Sequence, residues 1–202
     1  MIDQHALTWP AAADLPVYAD EATHQLISHC LAGEEASYVA LYKAYSGMIY
    51  RLVYSMLQHK EDAEEVLQDS FEYAFRKLAQ YDANKSSFKT WLYRIAISRC
   101  RNKRRRKWLP TLSLSQLVGY EVTDKDTPAP AEVVALTEKQ KQVWYALHEL
   151  SPKLRETAVL RYYEGLTYVE IGDILNIPAK TVESRMRLAH KALREILISE
   201  EL

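Results

Sequence analysis

Apolar residues recur at three- and four-residue intervals along almost the whole of this chain, and only five glycines interrupt them in 202 residues. That spacing lines apolar side chains along one stripe of a 3.6-residue helix, whereas a half-buried strand needs strict alternation. No run alternates convincingly, so the pattern predicts an all-α protein. The stripe breaks once. Residues 109–131 carry three prolines among small polar residues with no sustained period, the composition of a flexible linker. The break predicts two small helical domains, over 20–108 and 132–202, behind a loose arm over 1–19. An apolar content of 48% is enough for both to bury cores.

In the first domain, "EDAEEVLQDSFEYAFRKLAQ" puts Ala63, Val66, Leu67, Ser70, Phe71, Ala74, Phe75 and Leu78 on one stripe. Asp62, Glu65, Gln68, Asp69 and Glu72 form the opposite, acidic face, which on composition alone is a solvated surface. The loop "YDANKSS" follows. A second helix, "FKTWLYRIAISRCRNKRRRK", has Phe88, Trp91, Leu92, Ile95, Ala96 and Arg99 as its inner stripe and runs straight into seven Lys or Arg within residues 99–107. Those charges sit in a chain whose net charge is only -1. The distribution is polarised: residues 1–98 hold 8 Lys and Arg against 13 Asp and Glu, while Ala179–Arg194 holds five basic residues and one acidic. Two compact basic patches on a near-neutral chain point to one polyanion touched at two places.

The most specific pattern lies in the second domain. Ser151 precedes Pro152 as an N-cap before a first-turn proline, and that helix stops at Gly165. Thr167 and Glu170 have the spacing of a capping box, which opens a short helix over Tyr168–Leu175. Another helix begins near Pro178. Gly172 supplies a small residue where two helices cross, Asn176 tolerates the left-handed turn, and Ile171, Leu175, Ile177 and Val182 fill the space between. Val182, Met186, Ala189 and Leu193 continue the apolar stripe. Lys180, Thr181, Ser184, Arg185, Arg187 and Lys191 stand opposite, a donor-rich face suited to phosphates and base edges in a major groove. This is the pattern of a helix-turn-helix.

Other classes are poorly supported. No apolar run reaches the roughly 18 to 20 residues of a membrane span, and "MIDQHALTWPAAADLP" lacks the basic start and apolar centre of a signal peptide, so no membrane insertion and a cytoplasmic setting are expected. Cys30 and Cys100 form neither a CxxC nor a disulfide framework. His24, His29 and Cys30 cluster in sequence but have no fourth ligand nearby, so no metal site and no cofactor are expected. Walker, HExxH, GxSxG and paired-carboxylate arrangements are missing, and Cys100 within the basic run is at most a slightly activated thiol. The chain reads as a non-enzyme with no catalytic residues.

The stretches "DAEEVLQDSF", "SSFKTWLYRIAISRCRNKRRR", "LSPKLRETAVLRYYEGLTYVEIGDILNIPAKTVESRMRLAHKALRE" and, more weakly, "HCLAGEEASYVALYKAY" together resemble the extracytoplasmic-function (group IV) sigma factors of the sigma-70 family. They come in the family's order. The resemblance implies region 2 over 20–108, region 4 over 132–202, and a partner in core RNA polymerase through its β′ clamp helices and β flap. It gives Asp62, Glu65, Gln68, Asp69 and Glu72 the clamp-helix contact. It implies that Lys180, Thr181, Ser184 and Arg185 meet bases of the -35 element in duplex DNA, with Arg187 and Lys191 on phosphates. Glu183 has two readings, acceptor from a cytosine amino group or partner of Arg187.

By the same resemblance the first domain handles the -10 element as a single strand. Asn84, Lys85 and Ser86 belong to a pocket for a flipped base, and Arg94, Arg99, Arg101, Asn102, Lys103 and Arg104 line a phosphate groove. Trp91 is either a stacking platform or part of the core. An anti-sigma factor is a common partner in the family. The sequence also admits a stand-alone helix-turn-helix regulator, which leaves the acidic stripe unexplained, and a polybasic membrane or RNA binder.

Overall fold

The computed structural model describes residues 20–108 and 138–200, so the expected arm and linker lie outside the described residues. Within them every regular element is helical. The first module comprises α1 (Asp20–Leu31), α2 (Glu35–Leu57), α3 (Lys60–Arg76), a 3-10 turn (Leu78–Gln80) and α4 (Phe88–Trp108). The second comprises α5 (Glu138–Glu149), α6 (Pro152–Tyr162), α7 (Tyr168–Leu175) and α8 (Ala179–Glu200).

Helix α2 is the centre of the first module and packs against α1, α3 and α4. Leu41, Tyr45, Met48, Ile49, Leu52, Val53 and Met56 are all buried on it, more of the circumference than an amphipathic surface helix presents. Tyr45 links two neighbours: its hydroxyl pairs with Thr23 Oγ1 of α1 at 2.9 Å, and its ring meets Phe88 of α4 edge-on, centroids 5.1 Å apart. Helix α3 buries Ala63, Val66, Ser70, Phe71 and Ala74 as its spacing predicts. Cys30 is buried in α1 whereas His24 and His29 are exposed, so the three do not converge.

In the second module α5, α6 and α7 all pack on α8. The capping box forms: the Glu170 amide donates to Thr167 Oγ1 at 3.3 Å, and the Thr167 amide donates to Glu170 Oε2 at 2.8 Å. The Thr167 hydroxyl, which donates to Glu170 Oε2 at 2.6 Å, and then the Thr167 amide hold the Glu170 carboxyl below the usual carboxylate range. Asn176 takes the left-handed conformation, φ 56°, that ends α7. Ser151 precedes α6 as expected, but its side chain makes no capping hydrogen bond.

The two modules pack on each other. Helix α2 meets α6, and α4 meets α7. Tyr54 of α2 stacks on Trp144 of α5, centroids 6.0 Å apart and planes 7° from parallel. Arg155 Nη1 donates to the Met56 carbonyl at 3.3 Å and its Nη2 to the Leu150 carbonyl at 3.2 Å, a position where burial pushes its guanidinium down to about 10. Tyr93, Ile97 and Cys100 of α4 are therefore buried along with the expected Phe88, Leu92, Ile95 and Ala96. Burial pushes the Cys100 thiol up to about 12, with Arg104 opposing the shift and Glu156 adding to it, so the basic run does not activate it.

Two outcomes follow from this packing. A Cβ at Gly172 would stand 2.7 Å from the Ile177 carbonyl oxygen, so Gly172→Ala should lower unfolding free energy by about 1–3 kcal/mol in urea titrations. His148 is half-buried, with Nε2 enclosed and unpartnered, and burial together with Arg155 lowers its imidazole from 6.5 to about 3. The folded state thus binds fewer protons than the unfolded state between those values, and stability falls as pH drops from 6.5 towards 3. The denaturation midpoint of His148→Gln should vary less across that window than that of the wild type.

Candidate nucleic-acid interface

Helix α8 divides cleanly. Val182, Met186, Ala189 and Leu193 are buried against the rest of the module, while Lys180, Glu183, Ser184, Arg187 and Lys191 are exposed on one concave face shared with Tyr168, His190 and Arg194. Thr181 and Arg185 are half-buried, and Arg185 Nη1 is enclosed without an acceptor. Ser184 Oγ donates to the Lys180 carbonyl at 3.0 Å. Of the two readings of Glu183, pairing with Arg187 does not occur: among the described residues no ion pair joins them, and Glu183 is exposed beside Lys180 and Ser184. Tyr168 was not singled out by sequence, because its membership depends on how α7 crosses α8, whereas Arg194 follows Lys191 at helical spacing on α8 itself.

The loop before α4 is ordered by a residue that sequence reasoning passed over. Asp82 Oδ1 accepts from the Asn84 amide at 3.0 Å and from Asn84 Nδ2 at 3.2 Å, and Oδ2 lies 3.3 Å from Lys85 Nζ. The amide of Asn84, then Lys85, hold the Asp82 carboxyl below its usual range. Asp followed two residues later by a bonded amide is a recognisable turn signal. Tyr81 donates to the Ser86 carbonyl at 3.1 Å, and Ser87 Oγ accepts from the Thr90 amide at 3.2 Å as the N-cap of α4. Asn84 and Lys85 are exposed and Ser86 is half-buried. Trp91 is half-buried between Tyr81 and Phe88, with centroids at 5.4 and 5.7 Å, so it is packed on one side and accessible on the other.

Most cations of α4 already have partners. The Arg99 guanidinium sits 4.5 Å from the Tyr73 ring centroid. Lys103 Nζ lies 3.3 Å from Asp62 Oδ1 and also pairs with Glu65, tying α4 to α3. Arg94 Nε donates to the Asp173 carbonyl of α7 at 3.0 Å. Arg101 and Arg104 both hold Glu156 of α6. Asn102 is half-buried, and Arg105 and Arg106 are exposed. Lys107 and Trp108 belong to α4, but their side chains lie outside the described residues.

The acidic face of α3 also splits. Asp62 is buried and Glu65 turns towards Lys103, whereas Gln68, Asp69 and Glu72 remain exposed. Gln68 and Glu72 rim a groove of about 400 Å³ with Glu64, floored by Tyr42, Leu67, Phe71 and Phe75. Its apolar floor comes from α2 as well as α3, so sequence periodicity within one helix could not reveal it. An apolar trough with a carboxylate rim is suited to a basic, amphipathic helix of another protein.

One bundle with a carboxylate-rimmed groove and a basic helix, joined to a helix-turn-helix module, has the architecture of a DNA-binding protein. The sigma-70 region 2 model matches residues 41–109 and the sigma-70 region 4 model matches residues 146–195. The chain is 33% identical over 171 residues to the ECF RNA polymerase sigma factor SigW of Bacillus subtilis, covering 82% of this chain and 91% of that protein. It is 30% identical over 187 residues to SigK of Mycolicibacterium vanbaalenii, covering 93% and 94% respectively. Its fold resembles CnrH, solved with the cytosolic domain of CnrY (TM-score 0.64, 21% identity, 88% of this chain and 98% of that one). It also resembles RpoE of Bartonella quintana, solved with the anti-sigma factor NepR (TM-score 0.64, 22% identity, 78% and 94%). The chain belongs to the extracytoplasmic-function sigma factors of the sigma-70 family.

The placement of Lys103 separates architecture from DNA contact. Its side chain is 18% exposed and Asp62's is 11%, and His59 Nδ1 stays 3.7 Å from Asp62 Oδ2, so Lys103→Met should cost about 1–2 kcal/mol, between the values for an exposed pair and for a broken fully buried one. Denaturant titration of the variant measures this loss.

Proposed function

We propose that this sigma factor docks on core RNA polymerase through the groove between α2 and α3 and contacts promoter DNA at two places. The helix-turn-helix face of α8 meets the duplex -35 element. The loop over 81–87 and α4 hold the melted -10 strand. The observation that carries this reading is the continuity of α4: an ordered, exposed loop with amide, ammonium and hydroxyl groups opens the same 21-residue helix whose far half carries the basic run. A helix of that length extends about 30 Å, so base capture at one end and phosphate contact along it share one rigid frame.

Lys180, Thr181, Glu183, Ser184 and Arg185 stand nearest the bases in this reading, with Arg187 and Lys191 on phosphates. Arg105 and Arg106 add salt-dependent affinity without sequence preference. Gln68, Asp69 and Glu72 carry the clamp-helix contact, and Asp62 and Glu65 support it indirectly by fixing α3 on α4. The chain acts as a non-catalytic initiation factor, with the chemistry of RNA synthesis left to the polymerase, and its place of work is the cytoplasm. No helix among the described residues is long and apolar enough to cross a membrane. The β flap and an anti-sigma factor complete the set of partners; the second would act by covering the same DNA-facing surfaces. A stand-alone regulator would have no use for the acidic groove.

Asp69→Lys combined with Glu72→Lys reverses charge at two exposed positions and should abolish co-purification with core polymerase while leaving the thermal melt unchanged. Retained core binding would remove the groove from the docking site. Loss of promoter-specific transcription in the same variant, at unchanged affinity of the isolated chain for duplex DNA, is the accompanying expectation.

A further inference from the structure

We propose that His190 meets a DNA backbone phosphate as an imidazolium, so that the α8 face takes up a proton from solvent when it binds a duplex. The inference rests on the reading of α8 as the -35 helix, with Arg187 and Lys191 on phosphates. His190 is exposed on the same concave face, three residues after Arg187 and four before Arg194, one helical turn from each. That face carries Lys180, Arg187, Lys191 and Arg194 against Glu183 and Glu195, four cations and two carboxylates, a net +2. Glu195 is turned to Lys191, with Nζ 3.9 Å from Oε1. A protonated imidazole adds a further positive charge in the middle of this stripe.

The surroundings of the ring suit either protonation state. Nε2 pairs with the Tyr162 hydroxyl of α6, and the two ring centroids lie 5.8 Å apart. Burial raises the Tyr162 phenol, so it keeps its proton and donates to the neutral imidazole. When the imidazole is protonated, the same oxygen accepts from Nε2–H through a lone pair, so gaining a proton costs no partner. What opposes protonation in the free chain is burial first and then Arg194, which together hold His190 below its ordinary value. Tyr168 of α7 and Arg161 of α6 stand near Tyr162, but Arg161 is turned onto the Leu166 carbonyl at 2.9 Å and the Tyr168 ring. Helix α5 also packs on α8 but lines no part of this face among the described residues. A phosphate drawn to Arg187 and Lys191 reverses the balance, because its charge offsets Arg194 and favours the imidazolium. Binding thus raises the imidazole, and by linkage affinity rises as pH falls.

The test uses the full chain, whose α8 face is exposed as it stands, and a fluorescein-labelled 25-base-pair duplex of mixed sequence, since backbone phosphates are common to every sequence. In fluorescence anisotropy at about 50 mM KCl, the wild type should gain about fivefold more affinity than His190→Gln between pH 7.5 and pH 5.5. His190→Arg should bind tightly throughout, with no pH dependence beyond that of His190→Gln. Equal pH dependence in the wild type and folded His190→Gln would overturn the proposal, as would the absence of any duplex binding at pH 5.5. A second readout uses the native side chain: the titration midpoint of the His190 Cε1–H resonance should rise when the duplex saturates the chain, and a constant midpoint overturns it. The underlying reading fails separately: Arg187→Gln with Lys191→Gln would then leave duplex affinity at pH 7.5 intact.

Discussion

Helix α4 is shared by two cores, and most features of the molecule depend on that. One side carries Phe88, Leu92, Ile95 and Ala96 into the bundle built on α2. Another side presents Tyr93, Arg94, Arg101 and Arg104 to the second module, where each meets a polar group of α6, α7 or the turn between them. Apolar burial alone would leave such an interface free to slide. Directional bonds from guanidinium and phenol groups to Glu156, Glu164 and the Asp173 carbonyl fix its register.

Tyr93 and Glu164 show how that register constrains the chemistry. The Tyr93 hydroxyl donates to Glu164, whose carboxyl is pushed above the usual range by burial, with Tyr93 and then Lys89 opposing the shift. The Tyr93 phenol is pushed well above its ordinary value, by burial first and then by the Glu164 charge. Tyr93 is fully buried, so no nucleic-acid base can stack on it in the packed arrangement. Trp91, two residues away, keeps one accessible side. A difference of two residues on a helix is about half a turn, which separates a structural aromatic from an available one.

Much of the second module was legible in the sequence because its determinants are local. The Thr167–Glu170 capping box, the left-handed Asn176 and the Gly172 crossing act within a few residues of one another, and each has the geometry its residue type dictates. The stripe on α3 was legible for the same reason. The groove between α2 and α3 was not, since the Tyr42 ring of α2 approaches that of Phe71 to a centroid distance of 4.8 Å and no pattern within α3 contains it. Asp82 carries a local turn signal, but its hold on Asn84 and Lys85 depends on the loop's folded geometry, which residue order alone does not contain.

Charge was the least legible property of all. Sequence determined how many cations α4 carries, where they begin and that they share one rigid helix, because composition and helical period are local. Tertiary structure alone decided which are available: Arg99 lies over Tyr73, Lys103 is consumed by Asp62 and Glu65, and Arg101 and Arg104 close on Glu156. Electrostatic pairing acts through space between groups 38 to 55 residues apart, and its strength depends on burial. A chain's residue order contains neither distance nor solvent exposure, so the fate of each charge is set only when α3 packs on α4 and when the two modules meet.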